Sequence, residues 1–183
     1  MDAVEQALSA LLEHFPGLAG KVQVVTAQRI VIDFLPPDEF AEVFAWLAGE
    51  GDFSRFHLLC GTDEGENLGM VYVLSNAAQI LISVKQIVPK DKPEINSVTP
   101  LFPQALLHEL ELADLFGAVI NDLPPGPKFP LPQDWPSGNY PLRKEWKPEY
   151  FDRAAMTYRP SPAGEEEPPE EWPEEMPEGT ELS

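Results

Sequence analysis

Met70-Val71-Tyr72-Val73-Leu74-Ser75-Asn76, followed by Gln79-Ile80-Leu81-Ile82-Ser83-Val84-Lys85-Gln86-Ile87-Val88, is the stretch that decides the fold. It belongs to the longest apolar run of the chain, Leu68 to Val88, which Ser75, Asn76, Gln79, Ser83, Lys85 and Gln86 interrupt. A membrane-spanning helix needs about 18 or more uninterrupted apolar residues, so no span is expected. Read with a period of two, the second half puts Ile80, Ile82, Val84 and Val88 on one face. Ser75-Asn76 then marks a turn between two strands. Immediately upstream, Phe53 to Cys60 reads as a further strand, joined to Met70 by the Gly-rich segment Gly61 to Gly69. The three strands together predict an antiparallel meander.

Further out, Val22 to Thr26 is β-branched, and Ile30, Ile32 and Phe34 alternate with Val31, Asp33 and Leu35, giving two more strands. Three helices are expected around this sheet. The first covers residues 3–15, with Val4, Leu8, Leu11, Leu12 and Phe15 at helical spacing and Pro16-Gly17 as its stop. Pro36-Pro37-Asp38-Glu39 opens the second, whose stripe is Phe40, Val43, Phe44 and Leu47 and whose end is Gly49 to Gly51. After a linker through Pro89 to Pro93, the third helix runs up to Gly117. The fold class is therefore α+β: a mostly antiparallel, mixed sheet of about five strands with three helices. It is followed by an extended Pro-rich arm and a disordered tail. The boundaries read 1–120 for the domain, 121–160 for the arm and 161–183 for the tail.

Proline explains the arm. The chain has 21 prolines in 183 residues, about twice the usual share of roughly 5%, and eight of them fall between 121 and 150. Proline fixes the backbone angle and removes a donor, so this segment is extended. It also carries Phe129, Leu131, Trp135, Tyr140, Leu142, Trp146, Tyr150 and Phe151. A solvated linker does not need so many large apolar groups, so the arm is expected to lie along a surface, its own domain's or a partner's. The last 23 residues hold nine Glu and no basic residue, a composition that cannot bury enough apolar surface to fold.

Charge and cysteine usage exclude several functions. A net charge of −19 repels phosphate backbones, so nucleic-acid binding is not expected. A single cysteine, Cys60, excludes a disulfide framework or a cluster held by several thiolates of this chain, and points to a reducing compartment. Ending an apolar strand, Cys60 is expected to be a buried, inert thiol. The N-terminus has neither the basic region nor the apolar core of a signal peptide. His108 and Glu111 lack the second histidine of a zinc-protease helix, and Gly61, Gly65 and Gly69 are not followed by a nucleotide-binding helix. No catalytic, cofactor-binding or metal-ligating residue emerges.

The third helix, His108-Glu109-Leu110-Glu111-Leu112-Ala113-Asp114-Leu115-Phe116-Gly117, holds the most information about function. On a 100° wheel, Ala105, Leu106, Leu110, Ala113 and Phe116 share an arc facing the sheet, with Glu109 inside it. A buried carboxylate requires a cation or hydrogen-bond donors. Arg143 and Lys144 are the nearest informative candidates; the other reading leaves Glu109 at the stripe's edge, in water. Glu111 and Asp114 fall on the outward side, either as a solvated face or as a face presented to a partner.

These residues also carry a resemblance. Pro89, Pro93, Ser97, Thr99, Phe102 and Pro103 lead into Glu109, Glu111, Asp114, Phe116 and Gly117, and an arm follows with Asp134, Trp135, Pro141, Leu142, Arg143 and Lys144. In order and approximate spacing, residues 89–146 resemble the 30 kDa-type subunit of complex I, the C-type subunit of NADH-quinone oxidoreductases. That family includes the matching subunits of membrane-bound energy-converting [NiFe] hydrogenases. Leu110 stands where the family has an arginine, and the Pro-rich Asn121 to Phe129 replaces its Gly-His-Pro-x-Leu-Arg segment. Both departures fit a divergent, hydrogenase-type branch.

The resemblance implies a non-catalytic accessory subunit of a complex I-related oxidoreductase, peripheral on the cytoplasmic face of the membrane. The parent complex would be an NADH-quinone oxidoreductase or an energy-converting hydrogenase. Fe–S clusters and either quinone and flavin or NiFe sites would belong to partner subunits, with no cofactor bound by this chain. The expected partners are the large catalytic subunit, 49 kDa-type or hydrogenase-type, and a neighbouring Fe–S subunit. The residues expected at that interface are Glu109, Glu111, Asp114, Phe116, Gly117, Trp135, Pro141, Leu142, Arg143, Lys144 and Trp146. Trp135 and Trp146 either anchor a partner or pack within the chain. The alternative from another class is a free acidic adaptor or assembly chaperone for a redox complex, using residues 161–183 to hold a basic partner. A hydrolase with Glu109, Glu111 or Asp114 as paired acids lacks a cleft on a lone helix.

Overall fold

The structure is a computed structural model that describes residues 3–124 and 126–158. The acidic segment 161–183, expected to be disordered, lies outside the described residues. Five strands form the main sheet: β1 (Val22–Thr26), β2 (Arg29–Ile32), β3 (Arg55–Asp63), β4 (Asn67–Ser75) and β5 (Leu81–Pro89). Their order is β1-β2-β5-β4-β3, with β2 parallel to β5 and every other neighbour antiparallel. The expected meander is β3-β4-β5. Its first turn is tighter than expected, because Gly61 and Gly69 both belong to strands and pairing continues to Asp63 opposite Leu68. β2 is shorter than its alternation suggests and stops at Ile32; Leu35 instead donates its N–H to the Lys85 carbonyl.

One face of this sheet is the core. Ile30, Ile32, Leu68, Met70, Tyr72, Leu74, Ile82, Val84 and Val88 point into it and are buried. Helix α1 (Ala3–His14) lies against β2, and α2 (Phe40–Ala48) buries Phe40, Val43, Phe44 and Leu47. The Phe40 and Phe44 rings stack at 4.4 Å, and Phe44 meets Tyr72 edge-on at 4.8 Å. Helix α3 (Leu106–Phe116) rests on β3 at Gly61, where a Cβ would lie 2.7 Å from the Phe116 ring and 2.8 Å from Leu112. Glycine there lets the helix approach the strand closely.

That approach corrects the wheel. Ala105, Glu109, Leu112 and Phe116 are the buried positions, whereas Leu106, Leu110 and Ala113 are only half-buried. The helix is rotated by roughly 50° from the expected setting, because Phe116 and Leu112 take the space over Gly61. Cys60 is also corrected: it is exposed, not buried. A bulge between Phe56 and Leu58 resets the alternation of β3. Phe56 and Leu59 turn inward, and Leu58 and Cys60 turn out. Desolvation by its surroundings, and then the nearby Glu111 charge, pushes the Cys60 thiol above its ordinary range.

Two small sheets go beyond the sequence reading. β6 (Glu94–Asn96) pairs in parallel with β7 (Val119–Asn121), tying the segment before α3 to the one after it. Further along the arm, β8 (Phe151–Asp152) and β9 (Thr157–Tyr158) make a short hairpin.

Candidate functional site

The site is built at the two ends of α3. Before the helix, Ser97-Val98-Thr99 turns sharply, with the N–H groups of Leu101 and Phe102 both donating to the Val98 carbonyl. Glu109, fully buried one turn into the helix, reaches back to this turn. Its Oε1 accepts the Val98 N–H at 2.6 Å; its Oε2 accepts the Ser97 and Thr99 hydroxyls at 2.7 and 2.8 Å. The buried reading of Glu109 holds, but Arg143 and Lys144 are not its partners. Three neutral donors satisfy it, which removes the need to bury a cation as well. Burial, and then the negative charge of Glu109, raises the pKa of the Tyr72 phenol, which stays neutral.

At its other end α3 leaves carbonyls without helical partners. Gly117 takes the left-handed conformation, φ 69°, and returns its N–H to Ala113 and Leu112. Ala118 donates to the Leu112 carbonyl at 3.3 Å, so the turn closes as glycine-ended helices commonly do. The arm satisfies what remains. Leu142 N–H donates to the Leu115 carbonyl at 3.1 Å, and Arg143 Nε to the Phe116 carbonyl at 2.7 Å. The guanidinium lies 4.6 Å from the Tyr140 ring centre, and that ring packs directly on Gly117. A cation at a helix C-terminus also meets the negative end of the helix dipole. Arg143, expected at a partner surface, is thus engaged inside its own chain, with its side chain 15% exposed.

A second contact holds the arm. Lys90 Nζ bridges Asp63 Oδ2 at 2.6 Å and Glu145 Oε2 at 2.9 Å, and Asp63 also accepts the Lys144 N–H at 2.8 Å. Burial alone would raise the Asp63 carboxyl. The hydrogen bonds from Lys90, Lys144 and Gly65, with the Lys90 charge, outweigh it and bring the group down to about 2. A depressed carboxyl stabilises the fold above its unfolded value, which is near 4, and loses that contribution as pH falls through the folded value. Acid unfolding of the parent should therefore carry a component between about pH 4 and pH 2 that Asp63→Asn lacks. Equal acid profiles for parent and variant, followed by circular dichroism, would remove Asp63 as the source.

Further out, Trp135, Trp146 and Phe151 form the arm's own aromatic cluster, Trp135 stacking on Phe151 at 4.5 Å. Trp135 Nε1 donates to the Asn139 carbonyl, and Lys128 to the Trp135 carbonyl. Both tryptophans pack within the chain and both stay half-buried. Leu110 packs beside Gly126 of the arm. On the outer side of α3, Glu111 and Asp114 are half-exposed, and Asp114 Oδ2 is shielded without a hydrogen-bond partner among the described residues. Sequence reasoning passes over Lys90 and Asp63, and names Tyr140 only among the arm's large apolar groups.

The chain belongs to the family of the 30 kDa subunit of respiratory-chain NADH dehydrogenase, whose model matches residues 34–152. Among curated relatives, formate hydrogenlyase subunit 5 of Escherichia coli (strain K12) is 33% identical over 165 residues, 85% of this chain and 26% of that protein. The C-type subunit of NADH-quinone oxidoreductase from Acidothermus cellulolyticus is 27% identical over 150 residues, 78% of this chain and 77% of that one. The chain thus spans about a quarter of the length of the first relative and most of the second. Among solved structures, a chain of the membrane-bound sulfane sulfur reductase, an archaeal respiratory membrane complex, superposes with a TM-score of 0.67 at 23% identity. The superposition covers 80% of this chain and 86% of that one, and it shows the shared fold. Among the described residues no helix is long and apolar enough to cross a membrane.

Proposed function

We propose that the chain is a non-catalytic accessory subunit of a membrane-associated, complex I-related oxidoreductase. It docks on the large catalytic subunit, of the 49 kDa or hydrogenase type, and on a neighbouring Fe–S subunit, peripherally at the cytoplasmic face. Electron carriers reside in those partners, and the complex is an NADH-quinone oxidoreductase or an energy-converting [NiFe] hydrogenase. The docking surface comprises α3, its flanks and the arm 121–160, while 1–120 forms the supporting domain. One observation carries the reading. Of the nine large apolar side chains left exposed among the described residues, five lie there: Leu101, Leu107, Val119, Phe129 and Leu142. Leu107 shares a face of α3 with the two acids Glu111 and Asp114, and exposed apolar groups of this kind suit a partner surface better than a solvated face. The relatives add support. The chain matches a quarter of one relative and most of another, and both are named as subunits.

The test is co-purification of the large subunit with the tagged full-length chain. Deleting residues 121–150 should abolish it, and so should Glu111→Lys with Asp114→Lys, which leaves the arm in place. Recovery of the intact complex with the folded double variant would overturn the reading. Loss of binding only on removing 161–183 would favour the acidic adaptor instead. Nickel in the recovered complex assigns the hydrogenase branch, and bound flavin the NADH-linked one.

A further inference from the structure

Helices α1, α2 and α3 all pack on the core face of the main sheet, and the strand register lays out what stands on the other face. One row across four strands is Val31, Ser83, Val73 and Leu58. On one side of it lie Arg29, Leu81, Ser75 and Arg55, and on the other Lys85, Val71 and Cys60. Val31, Val71, Val73, Leu81 and Ile87 are only half-buried, and Leu58 is 38% exposed. This apolar strip is framed by Arg29, Arg55, Lys85 and His57, with Asp33 and Glu64 as the acids. Arg29 donates to the Ser83 hydroxyl, Arg55 to the Asn76 carbonyl and Lys85 to Glu64. A guanidinium or an ammonium keeps further donors after one such contact. The whole chain carries −19, yet bases outnumber acids here.

The chain also holds a segment of the opposite character. Glu170-Glu171-Trp172-Pro173 is repeated as Glu174-Glu175-Met176-Pro177, so each large apolar group follows a pair of acids and precedes a proline. A segment that only keeps itself solvated has no use for Trp172 and Met176. Its prolines hold the backbone extended, which lowers the entropy lost on docking. Reach is sufficient. Residues 159–183 follow the last described strand and span up to about 80 Å when extended, against about 30 Å for a nine-residue strand. The arm also passes the end of this face, where the Lys144 N–H donates to Asp63 beside Glu64. We propose that residues 165–178 lie across this open sheet face of their own molecule. Trp172 and Met176 cover the apolar strip, and the glutamates face Arg29, Arg55 and Lys85. A second copy suits the face less well, since joining two of them brings like charges together. The cover shields apolar surface in the free subunit, and a partner that takes this face must displace it. Because α3 lies on the other side of the sheet, the contact does not depend on the docking surface above.

The test uses the full-length chain, whose single cysteine, Cys60, is exposed on this face. Cys60 carries a nitroxide spin label, and the ¹⁵N indole resonance of Trp172, identified by its loss in Trp172→Phe, reports on the tail. The label should broaden that resonance beyond detection, and reducing the nitroxide with ascorbate should restore it. Replacing Glu170, Glu171, Glu174 and Glu175 with Gln alters no residue of the described fold and should restore the resonance in the labelled protein. Arg29→Gln/Arg55→Gln/Lys85→Gln should do the same from the other side, with unchanged amide resonances in the core certifying its fold. When labelled ¹⁴N protein is mixed with unlabelled ¹⁵N protein, the Trp172 resonance should keep its full intensity. Loss in that mixture assigns the cover to a second copy and overturns the proposal. An intact resonance in the labelled chain also overturns it and leaves the face to a partner protein. So does a loss that persists in either set of Gln variants, which would mark a chain end near the label without charge pairing.

Discussion

Replacing Glu109 with alanine is expected to destabilise the full-length protein by about 3 kcal/mol or more, the largest effect of any single substitution around α3. The carboxylate accepts from the Val98 N–H and from two hydroxyls in a site with no exposure. Alanine removes all three acceptor contacts together, and a buried donor left without a partner costs about 1–3 kcal/mol. A void replaces the lost atoms. For a protein of this size the loss corresponds to roughly 6–12 °C in melting temperature. Glu109→Gln keeps one carbonyl oxygen and the volume, and hydroxyls can rotate to accept from its amide, so it should retain more than half the lost stability. Denaturant unfolding of the three proteins decides the matter: an alanine variant within about 1 kcal/mol of the parent would show that the 97–99 turn stands without its clip.

The second large effect is expected at Gly117. A valine there meets two penalties of different origin. The left-handed backbone at φ 69° costs a branched residue about 1–2 kcal/mol. The new side chain would also occupy the position of the Tyr140 ring, and overpacking of this kind costs about 1–3 kcal/mol. Because Tyr140 supports Arg143, the damage should spread to the arm, and trypsin should cut after Arg143 or Lys144 faster than in the parent. A double-mutant cycle separates the penalties. In a Tyr140→Ala background, Gly117→Val should cost only the backbone part. If the cost is the same in both backgrounds, the ring does not press on the glycine and the arm is held by other means.

How much of this is legible in the sequence depends on the range of each interaction. The meander and the helix ends follow from local signals: period-two alternation in 80–88, Pro16-Gly17, Gly49 and Gly117. The parallel pairing of β6 with β7 does not, because it joins two three-residue segments across the whole of α3. Nothing in either segment announces the other. The helix wheel places Glu109 inside the stripe correctly, but its partners come from a turn ten to twelve residues upstream that has no periodicity. Arg143 escapes for a related reason. Its partner is the backbone carbonyl of Phe116, and a carbonyl has no letter of its own. Cys60 is lost to one extra residue in β3, since a bulge inverts every alternation beyond it.

The inward engagement of Arg143 bears on how mutational maps of such assemblies are interpreted. A scan that scores loss of assembly would flag Gly117, Tyr140 and Arg143 whether each touches a partner or acts only through the contacts that hold the arm on α3. Mapping the genuine footprint therefore needs two readouts for every variant, one for complex formation and one for the conformation of the free chain. Among the residues by which this chain is recognised, Glu109, Gly117 and Arg143 make contacts within its own architecture, while Glu111 and Asp114 are left on the outer side. The choice of complex would then be written in side chains of the second kind.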